Sequence, residues 1–436
     1  MNLFGTDGIR GTYGSTLNDG TAFLLGKSLA FLGDCPIVVI ARDTRTSGEN
    51  LFSALTHGVY AGGGNVINLG ILPTNAVGHF VRKLGADYGV MITASHNPPV
   101  DNGLKVFDRY GVKMCSSKQD VISKMMTSLK EEKLTGGKVF EPVFYDIDNI
   151  YCEDVLRLVD VNLSRMNIAL DCCYGSAYKV APLVFTKTGA NVSSFCNSKQ
   201  GDKINVDCGA THPEYLLKHM QSGKYHLGFS FDGDGDRLTV YEGNKIVPNN
   251  KVFYAIAKYL SAQGKLMHNA VCGTVLTNGG LEASLLKIGI ALERTDVGDT
   301  NVFQGMVKQG LNFGGEESGH YLLCDYATTS DAIINALFLC KIYKEAGSLL
   351  KYTAECTDSP SQSLNIEITA ANASIATRDG LDLAAGRIKS LYPECRIVLR
   401  KSGTENKIRA YVEGKQADEA MEQVAATFAS KSPRLN

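Results

Sequence analysis

Residues 227–237 read Leu227-Gly228-Phe229-Ser230-Phe231-Asp232-Gly233-Asp234-Gly235-Asp236-Arg237. The first five suit a short buried strand. The rest form a polar loop in which three carboxylates alternate with glycines. A strand that breaks into such a loop predicts α/β layering, where ligands collect beyond the carboxyl ends of strands. The same pattern occurs twice upstream. Ile37–Ile40 runs into Arg42-Asp43-Thr44-Arg45, and Gly89–Ile92 runs into Thr93-Ala94-Ser95-His96-Asn97-Pro98. A helical stretch is expected after each loop. Helical periodicity is clear at Ala22, Leu25, Leu29 and Leu32, with Asp19 as the expected N-cap, and at Ala417, Met421, Val424 and Phe428. Both stripes read as core faces.

Working outward, strand-like Met166–Leu170 opens a second unit and Val271–Leu276 a third. The charged stretch from Lys130 to Lys138 reads as surface near the end of the first unit. Thr357-Asp358-Ser359-Pro360-Ser361 is the best linker. The similar spacing of the opening strands makes internal repetition conceivable.

The chain has 436 residues, of which 44% are hydrophobic and 20% charged, enough for several cores. Its formal net charge of -1 supplies no global field for nucleic acid or an anionic membrane, so positive charge for an anionic ligand must be gathered locally. The 12 cysteines include no CxxC pair and suit a reducing compartment, where each is most simply a small buried hydrophobe. The opening residues carry no basic stretch followed by an apolar one, and no apolar run approaches the ~20 residues of a membrane span. A cytoplasmic enzyme without membrane or nucleic-acid partners is the expectation.

Asp232, Asp234 and Asp236 converge on one hard cation if the backbone turns tightly, and Gly233 and Gly235 permit that. Oxygen-only ligands favour Mg2+ or Ca2+. An EF-hand is excluded, because its sixth and twelfth positions hold Arg237 and Gly243 here in place of Gly and Glu. Ser95 follows a strand in a loop closed by Asn97-Pro98. The GxSxG frame of a hydrolase is absent, so a phosphate-accepting serine is the more natural reading. Arg400-Lys401-Ser402-Gly403-Thr404-Glu405, with Arg409, groups cations, hydroxyls and a glycine as a phosphate cradle. Gly314-Gly315-Glu316-Glu317-Ser318-Gly319-His320 has the carboxylates and hydroxyls that suit a sugar. Arg10, in a Gly-rich opening, and Arg42 and Arg45 are either clamps on a transferring phosphoryl group or buried partners of aspartates.

Five motifs in this order resemble the α-D-phosphohexomutases: Phe4-Gly5-Thr6-Asp7-Gly8-Ile9-Arg10-Gly11, the Ser95 loop through Lys105, the triple-Asp loop, Gly315 to His320, and Arg400 to Glu405. The opening motif and Asp101-Asn102-Gly103 most resemble the bacterial phosphoglucosamine mutase branch. The resemblance implies an α/β protein of four domains around a central cleft: three related α/β units with mixed sheets and a smaller α+β domain. On the boundaries above these are residues 1–150 with the phosphoserine loop, 151–250 with the metal loop, 251–357 with the sugar loop and 358–436 with the phosphate loop.

The resemblance also implies roles. Ser95 carries the phosphate, and Asp232, Asp234 and Asp236 hold one Mg2+ together with a seryl-phosphate oxygen. Glu316, Ser318 and His320 read the sugar. Arg400, Ser402, Gly403, Thr404 and Arg409 grip the phosphate that is not reacting. Arg10, His96, Lys105 and Arg237 surround the transferring group, with Lys105 a proton donor or acceptor. The implied reaction interconverts glucosamine 6-phosphate and glucosamine 1-phosphate through a sugar 1,6-bisphosphate, in a possible homodimer. A phosphomannomutase or phosphoglucomutase shares the chemistry and differs in the 2-substituent of the sugar. A non-catalytic sugar-phosphate binder requires neither Ser95 nor the triad. Departures from the family pattern fall at Asn75, Thr300-Asn301, Glu317, Ser330, Ala332 and Asn406. Glu317 adds a carboxylate beside the sugar readers, which suits an amino group.

Overall fold

The computed structural model describes residues 3–5, 7–129, 146–402 and 406–429. Its four sheets follow one another along the chain. The first contains β1 (Ile9–Thr12), β2 (Ile37–Arg42), β3 (Asn65–Ile71), β4 (Tyr88–Ile92) and β5 (Asp101–Asp108), in the order β1-β5-β4-β2-β3. The second contains β6 (Asn167–Asp171), β7 (Asn191–Phe195), β8 (Leu227–Phe231), β9 (Leu238–Glu242) and β10 (Lys245–Val247), in the order β10-β9-β8-β6-β7. In both, three parallel strands are extended by two antiparallel ones. The third, with β11 (Ala270–Thr274), β12 (Ala291–Thr295), β13 (Phe313–Glu316) and β14 (His320–Leu323), repeats this plan without the last strand. The topology therefore demonstrates the internal repetition. The fourth sheet, β15 (Ser361–Glu367), β16 (Arg396–Lys401) and β17 (Lys407–Glu413), is antiparallel and carries helices at Arg378–Leu391 and Ala417–Ala429.

One expectation is corrected here. Only the loop after β2 leads into a helix, Gly48–Ala61; the Ser95 and triple-Asp loops turn back into the antiparallel strands β5 and β9. Both return strands are almost wholly buried, and burial on both faces removes the alternation that marks a strand in sequence. The strand-return geometry leaves each loop as the tip of a hairpin pointing into the cleft. The first helix, Asp19–Ala30, is capped by Asn18 and not by Asp19: the Asn18 side chain accepts a hydrogen bond from Thr21 N. In the last helix Ala417, Val424 and Phe428 are buried as expected, with Met421 packed at the edge of that core. The stretch from Lys130 to Lys138 lies outside the described residues.

The cores of the second and third units are continuous. Phe229 and Phe231 of β8 share one apolar cluster with Phe313 of β13 and Phe338 of the helix Ala332–Ala346. The fourth unit has a core of its own, containing Ile388, Leu399, Ile408, Val412 and Phe428. No helix among the described residues is long and apolar enough to cross a membrane.

Candidate active site

The triple-Asp loop is held from both sides. Thr74, at the start of the helix Thr74–Leu84, donates its N–H to the Asp234 carbonyl at 2.9 Å and its hydroxyl to Asp234 Oδ2 at 2.5 Å. From the third unit, Ala332 N donates to the Gly235 carbonyl at 3.0 Å, and Ser330 Oγ to the Asp236 carbonyl at 2.6 Å. Ser330 is one of the departures from the family pattern, and its hydroxyl adds a hydrogen bond that Gly cannot make. Asn75, another departure, donates to Asp331 Oδ2 at 2.9 Å.

The three aspartates are buried, and their carboxylate oxygens lie within 4.8 Å of one another. Asp234 Oδ1 and Asp236 Oδ1 are buried without a hydrogen-bond partner. Unpartnered anionic oxygens in a dry site fit a bound cation, and an all-oxygen set fits a hard one. Burial, reinforced by Asp234 and Asp236, pushes Asp232 up to about 8.

Ser95 meets this loop directly. Its Oγ donates to Asp232 Oδ2 at 2.8 Å and stands 3.3 Å from His96 Nδ1. Its backbone is in the left-handed region, with φ at 53°, which costs a non-glycine residue about 1–3 kcal/mol. The loop is over-determined to match. Arg45, 1% exposed, donates through Nη2 to the carbonyls of Ser95 at 3.0 Å and Asn97 at 2.8 Å. Its Nη1 reaches the carbonyls of Pro98 and of Asp101, the latter at 2.8 Å. Asp43 anchors that guanidinium at 3.0 Å. Of the two readings left open for Arg45, the buried Arg–Asp pair is the one observed, and its free edge sculpts the serine loop. Asn205, from the second unit, adds Nδ2 bonds to Ser95 O at 2.8 Å and Asn97 O at 3.0 Å. Gly233 permits the close approach, since a Cβ there would sit 2.5 Å from the Ser95 carbonyl oxygen.

Cations ring the site. Lys105 Nζ lies 2.7 Å from Asp234 Oδ2, 2.9 Å from Asp236 Oδ2 and 3.0 Å from Asp7 Oδ2. Burial disfavours its charge, but these three carboxylates outweigh burial and hold it well above the usual lysine range. Arg10 pairs with Asp7, and the buried Nε atoms of Arg10 and Arg237 lack partners. His96 is driven down to about 3 by burial and then by Arg237 and Arg10, so it is neutral at neutral pH. His320 is raised: burial works against it, but Asp236, 3.7 Å from Nδ1, and Asp299, 3.4 Å from Nε2, prevail.

The loop that ends in Gly319-His320 lies against the triple-Asp loop. The Gly319 carbonyl accepts from Leu238 N at 3.1 Å, and a φ of 84° brings this glycine so near that a Cβ would meet the Leu238 carbonyl oxygen at 2.4 Å. Glu316 Oε1 accepts from Gly298 N at 2.9 Å, while Ser318 is exposed to the cleft. Glu317 does not join them. Its carboxylate accepts from Asn278 N at 2.8 Å, at the start of the helix Gly279–Lys287, because successive residues in an extended chain point opposite ways.

In the fourth unit Arg400 and Arg409 are directly opposite each other on β16 and β17. Like charges directly opposite on neighbouring strands repel. Burial and then Arg409 hold Arg400 below its usual value. Ser402 follows β16 and is buried; Gly403 and Thr404 lie outside the described residues.

Four residues of this cleft had escaped sequence reading: Asp7, Lys113, Asn205 and Asp299. Lys113 holds Asp7 Oδ1 at 2.8 Å and also pairs with Asp299 of the third unit. Asp7 stands in the quoted opening motif, two residues before β1, which was a usable signal. Asp299 stands beside the Thr300-Asn301 departure, a second usable signal, while Lys113 and Asn205 sit in stretches with no local pattern.

A serine at a hairpin tip, a carboxylate triad, a ring of cations and a separate arginine pair, on a thrice-repeated α/β plan, fit a phosphoryl-transferring sugar-phosphate enzyme. Comparison with known proteins gives the family. The chain matches the phosphoglucomutase/phosphomannomutase family throughout: alpha/beta/alpha domain I over residues 1–133, domain II over 149–245, domain III over 248–359 and the C-terminal domain over 365–431. It is 39% identical to the phosphoglucosamine mutase of Thermotoga neapolitana over 430 residues, 97% of each chain. Among solved structures, a phosphoglucomutase/phosphomannomutase family protein from Burkholderia thailandensis superposes with a TM-score of 0.82 at 23% identity, covering 100% of this chain and 98% of that one. The N-acetylphosphoglucosamine mutase of Aspergillus fumigatus, solved with GlcNAc-6P and magnesium, has a TM-score of 0.63 at 19% identity over 82% of this chain and 93% of that one. The protein belongs to the phosphoglucomutase/phosphomannomutase family and is a phosphohexomutase, an isomerase that moves phosphate within a sugar.

Proposed function

We propose that the protein interconverts glucosamine 6-phosphate and glucosamine 1-phosphate in the cytoplasm, using a phosphorylated Ser95 and one Mg2+. The observation that carries the chemistry is the 2.8 Å hydrogen bond from Ser95 Oγ to Asp232, at the mouth of a triad with two unpartnered buried oxygens. The amino-sugar assignment is supported by the activity named for the Thermotoga neapolitana relative.

Asp232, Asp234 and Asp236 would hold Mg2+, which when bound neutralises charge on the transferring phosphoryl group. In the forward half-reaction the bond from Ser95 Oγ to phosphorus breaks and a bond from a sugar hydroxyl oxygen to phosphorus forms; the sugar hydroxyl gives up its proton to the cleft as Ser95 Oγ takes one up, giving the sugar 1,6-bisphosphate and free Ser95. The intermediate then presents its other phosphate, and Ser95 takes it back. Arg10 and Arg237, each with a buried Nε that lacks a partner, are placed to clamp the moving group. Lys105, its ammonium set among three carboxylates at the triad, is the candidate proton donor or acceptor in the exchange at Ser95 Oγ. Neutral His96 orients Ser95 Oγ. Glu316, Ser318 and His320 read the sugar ring. Arg400 and Arg409, with Ser402, Gly403 and Thr404, hold whichever phosphate is idle.

The test is turnover of glucosamine 6-phosphate against glucose 6-phosphate and mannose 6-phosphate, with Mg2+ and a trace of sugar bisphosphate. Preference for the amino sugar, abolished in Ser95→Ala, establishes the reading. A preference for glucose or mannose retains the mechanism and changes the substrate.

A further inference from the structure

A second cluster of donor atoms lies behind the Ser95 loop, apart from the triad. Cys173 follows β6, Cys196 follows β7, and Cys208 stands beside Gly209. The sulfurs of Cys196 and Cys208 and a carboxylate oxygen of Asp171 lie within 4.8 Å of one another. The Cys208 thiol also interacts with that of Cys173, and all three cysteines are free thiols. Cys173 and Cys208 are fully enclosed, whereas Cys196 is 8% exposed, between the half-buried Tyr174 and Tyr215. The backbone that brings them together is unusual. Cys173, Tyr174, Cys196, Asn205 and Asp207 all have positive φ, between 49° and 61°, a conformation that L-residues other than glycine adopt rarely. Asp171 is fixed by hydrogen bonds from Cys173 N to Oδ1 at 3.0 Å and from Gly209 N to Oδ2 at 2.6 Å, the outer-shell support typical of a carboxylate ligand.

We propose that Asp171, Cys196 and Cys208 form a three-ligand site for a thiophilic divalent cation of the Zn2+ and Cd2+ class. Metal–sulfur bonds of about 2.3 Å and metal–oxygen bonds of about 2.0–2.2 Å place tetrahedral donors well inside the observed separation. Each thiol that binds releases its proton to water, and no electron is transferred. Softness separates the two sites: Mg2+ prefers the oxygen triad, and the thiophilic ion prefers sulfur.

The site is wired to the serine loop. The Cys173 thiol donates to Asn205 Oδ1 at 2.9 Å, and Asn205 Nδ2 holds the carbonyls of Ser95 and Asn97. Cys173 touches the Cys208 thiol, so a metal that takes up the Cys208 sulfur disturbs Cys173 and, through it, the grip of Asn205 on Ser95. The metal site stands independently of the proposed substrate; only its effect on turnover rests on the mutase reading.

The test titrates Cd2+ into the full-length protein at saturating Mg2+, reading cadmium–thiolate charge-transfer absorption and cadmium retained per chain. The expected result is one Cd2+ per chain, unchanged in a Cys35→Ser/Cys115→Ser variant that removes the more exposed thiols. Affinity should fall at least tenfold in Cys196→Ala, whose side chain is the least enclosed, and in Cys208→Ser, both checked for a native melting transition. Absence of the thiolate band, or a band of full affinity in Cys196→Ala, overturns the site. Inhibition of turnover by Cd2+ that excess Mg2+ fully relieves overturns the coupling to Ser95.

Discussion

Lys113 of the first domain and Asp299 of the third form an ion pair across the cleft, with both side chains 8% exposed. The same ammonium holds Asp7 Oδ1 at 2.8 Å, and Asp7 in turn meets Lys105 at 3.0 Å. Alternating charges thus run from the Asp triad to the third domain. Burial opposes the charge on Lys113, but Asp299 and Asp7 raise its pKa; Asp299 is correspondingly held far below the usual carboxylate range, with Lys113 the leading favourable influence against burial.

Removing that cation leaves the buried Asp299 with His320 as its remaining counter-charge, while Asp7 keeps Lys105 and Arg10. Lys113→Met is expected to destabilise the protein by about 3–5 kcal/mol, the usual cost of breaking a buried pair from one side. Asp299→Asn in the same chain should recover at least ~1 kcal/mol, because the carboxylate charge is then gone. Urea denaturation of the four members of this cycle measures the coupling, and strictly additive effects would show the pair to be inert.

Asn205 grips the serine loop from the second domain, while Arg45 grips it from the first. Truncating Asn205 removes bonds to the carbonyls of Ser95 and Asn97 but leaves the Arg45 bond to Ser95 O at 3.0 Å. The loop should persist with looser placement of Oγ. Asn205→Ala is expected to lower kcat by about 10–100-fold, since misplacement on the order of 1 Å is that costly. KM for the sugar phosphate should change little, because Asn205 touches no sugar-reading residue. A rise in KM with kcat intact would contradict a positioning role.

The motifs that converge in the cleft were legible because each packs its residues into a few consecutive positions: Ser95, the three aspartates and Glu316 to His320 all sit on single hairpin tips. What holds those tips was not. Arg45 and Asn205 reach the Ser95 loop from 50 and 110 positions away, and Lys113 reaches Asp299 across 186. Such pairings leave no local period or spacing. The hairpin returns at β5 and β9 were missed for a different reason, since strands buried on both faces carry no alternation to distinguish them from buried helix. Glu317 shows the converse limit: its neighbours suggested a sugar contact, and the pleat of the chain turned it toward the helix at Gly279.

Lys105 places its ammonium against the same aspartates that would hold Mg2+, within 2.9 Å of Asp234 and Asp236. Its charge therefore opposes metal binding, and in the proposed mechanism it also takes part in proton transfer. Lys105→Met is expected to tighten Mg2+ binding by about tenfold, as loss of a like charge at close range in a partly screened site would do. Turnover should fall by about 10²–10⁴, the usual contribution of an acid–base group. Calorimetric titration with Mg2+ reads the first effect and steady-state kinetics the second. Weaker Mg2+ binding in the variant would mean that Lys105 organises the aspartates more than it repels the ion.

Glu317 gives the protein a pH-dependent cost near neutrality. Burial, with Asp358 and Glu413 adding to it, raises its carboxyl to about 7, against the opposing Asn278 N–H and Arg396. An acid whose pKa is raised by folding binds its proton more tightly in the native chain than in the unfolded one. Below the ordinary value of 4.5 both states are protonated and nothing is lost. Stability then falls as pH rises through the interval up to about 7, and the full penalty is present above it. A tenfold difference in proton affinity between the two states corresponds to about 1.4 kcal/mol, so the penalty at pH 8 is on the order of 1–3 kcal/mol. Glu317→Gln keeps an oxygen for Asn278 N and removes the ionisation. The variant should match the parent near pH 5 and exceed its stability by that amount at pH 8. A stability difference that stays constant between those two pH values would show that Glu317 does not titrate in this range.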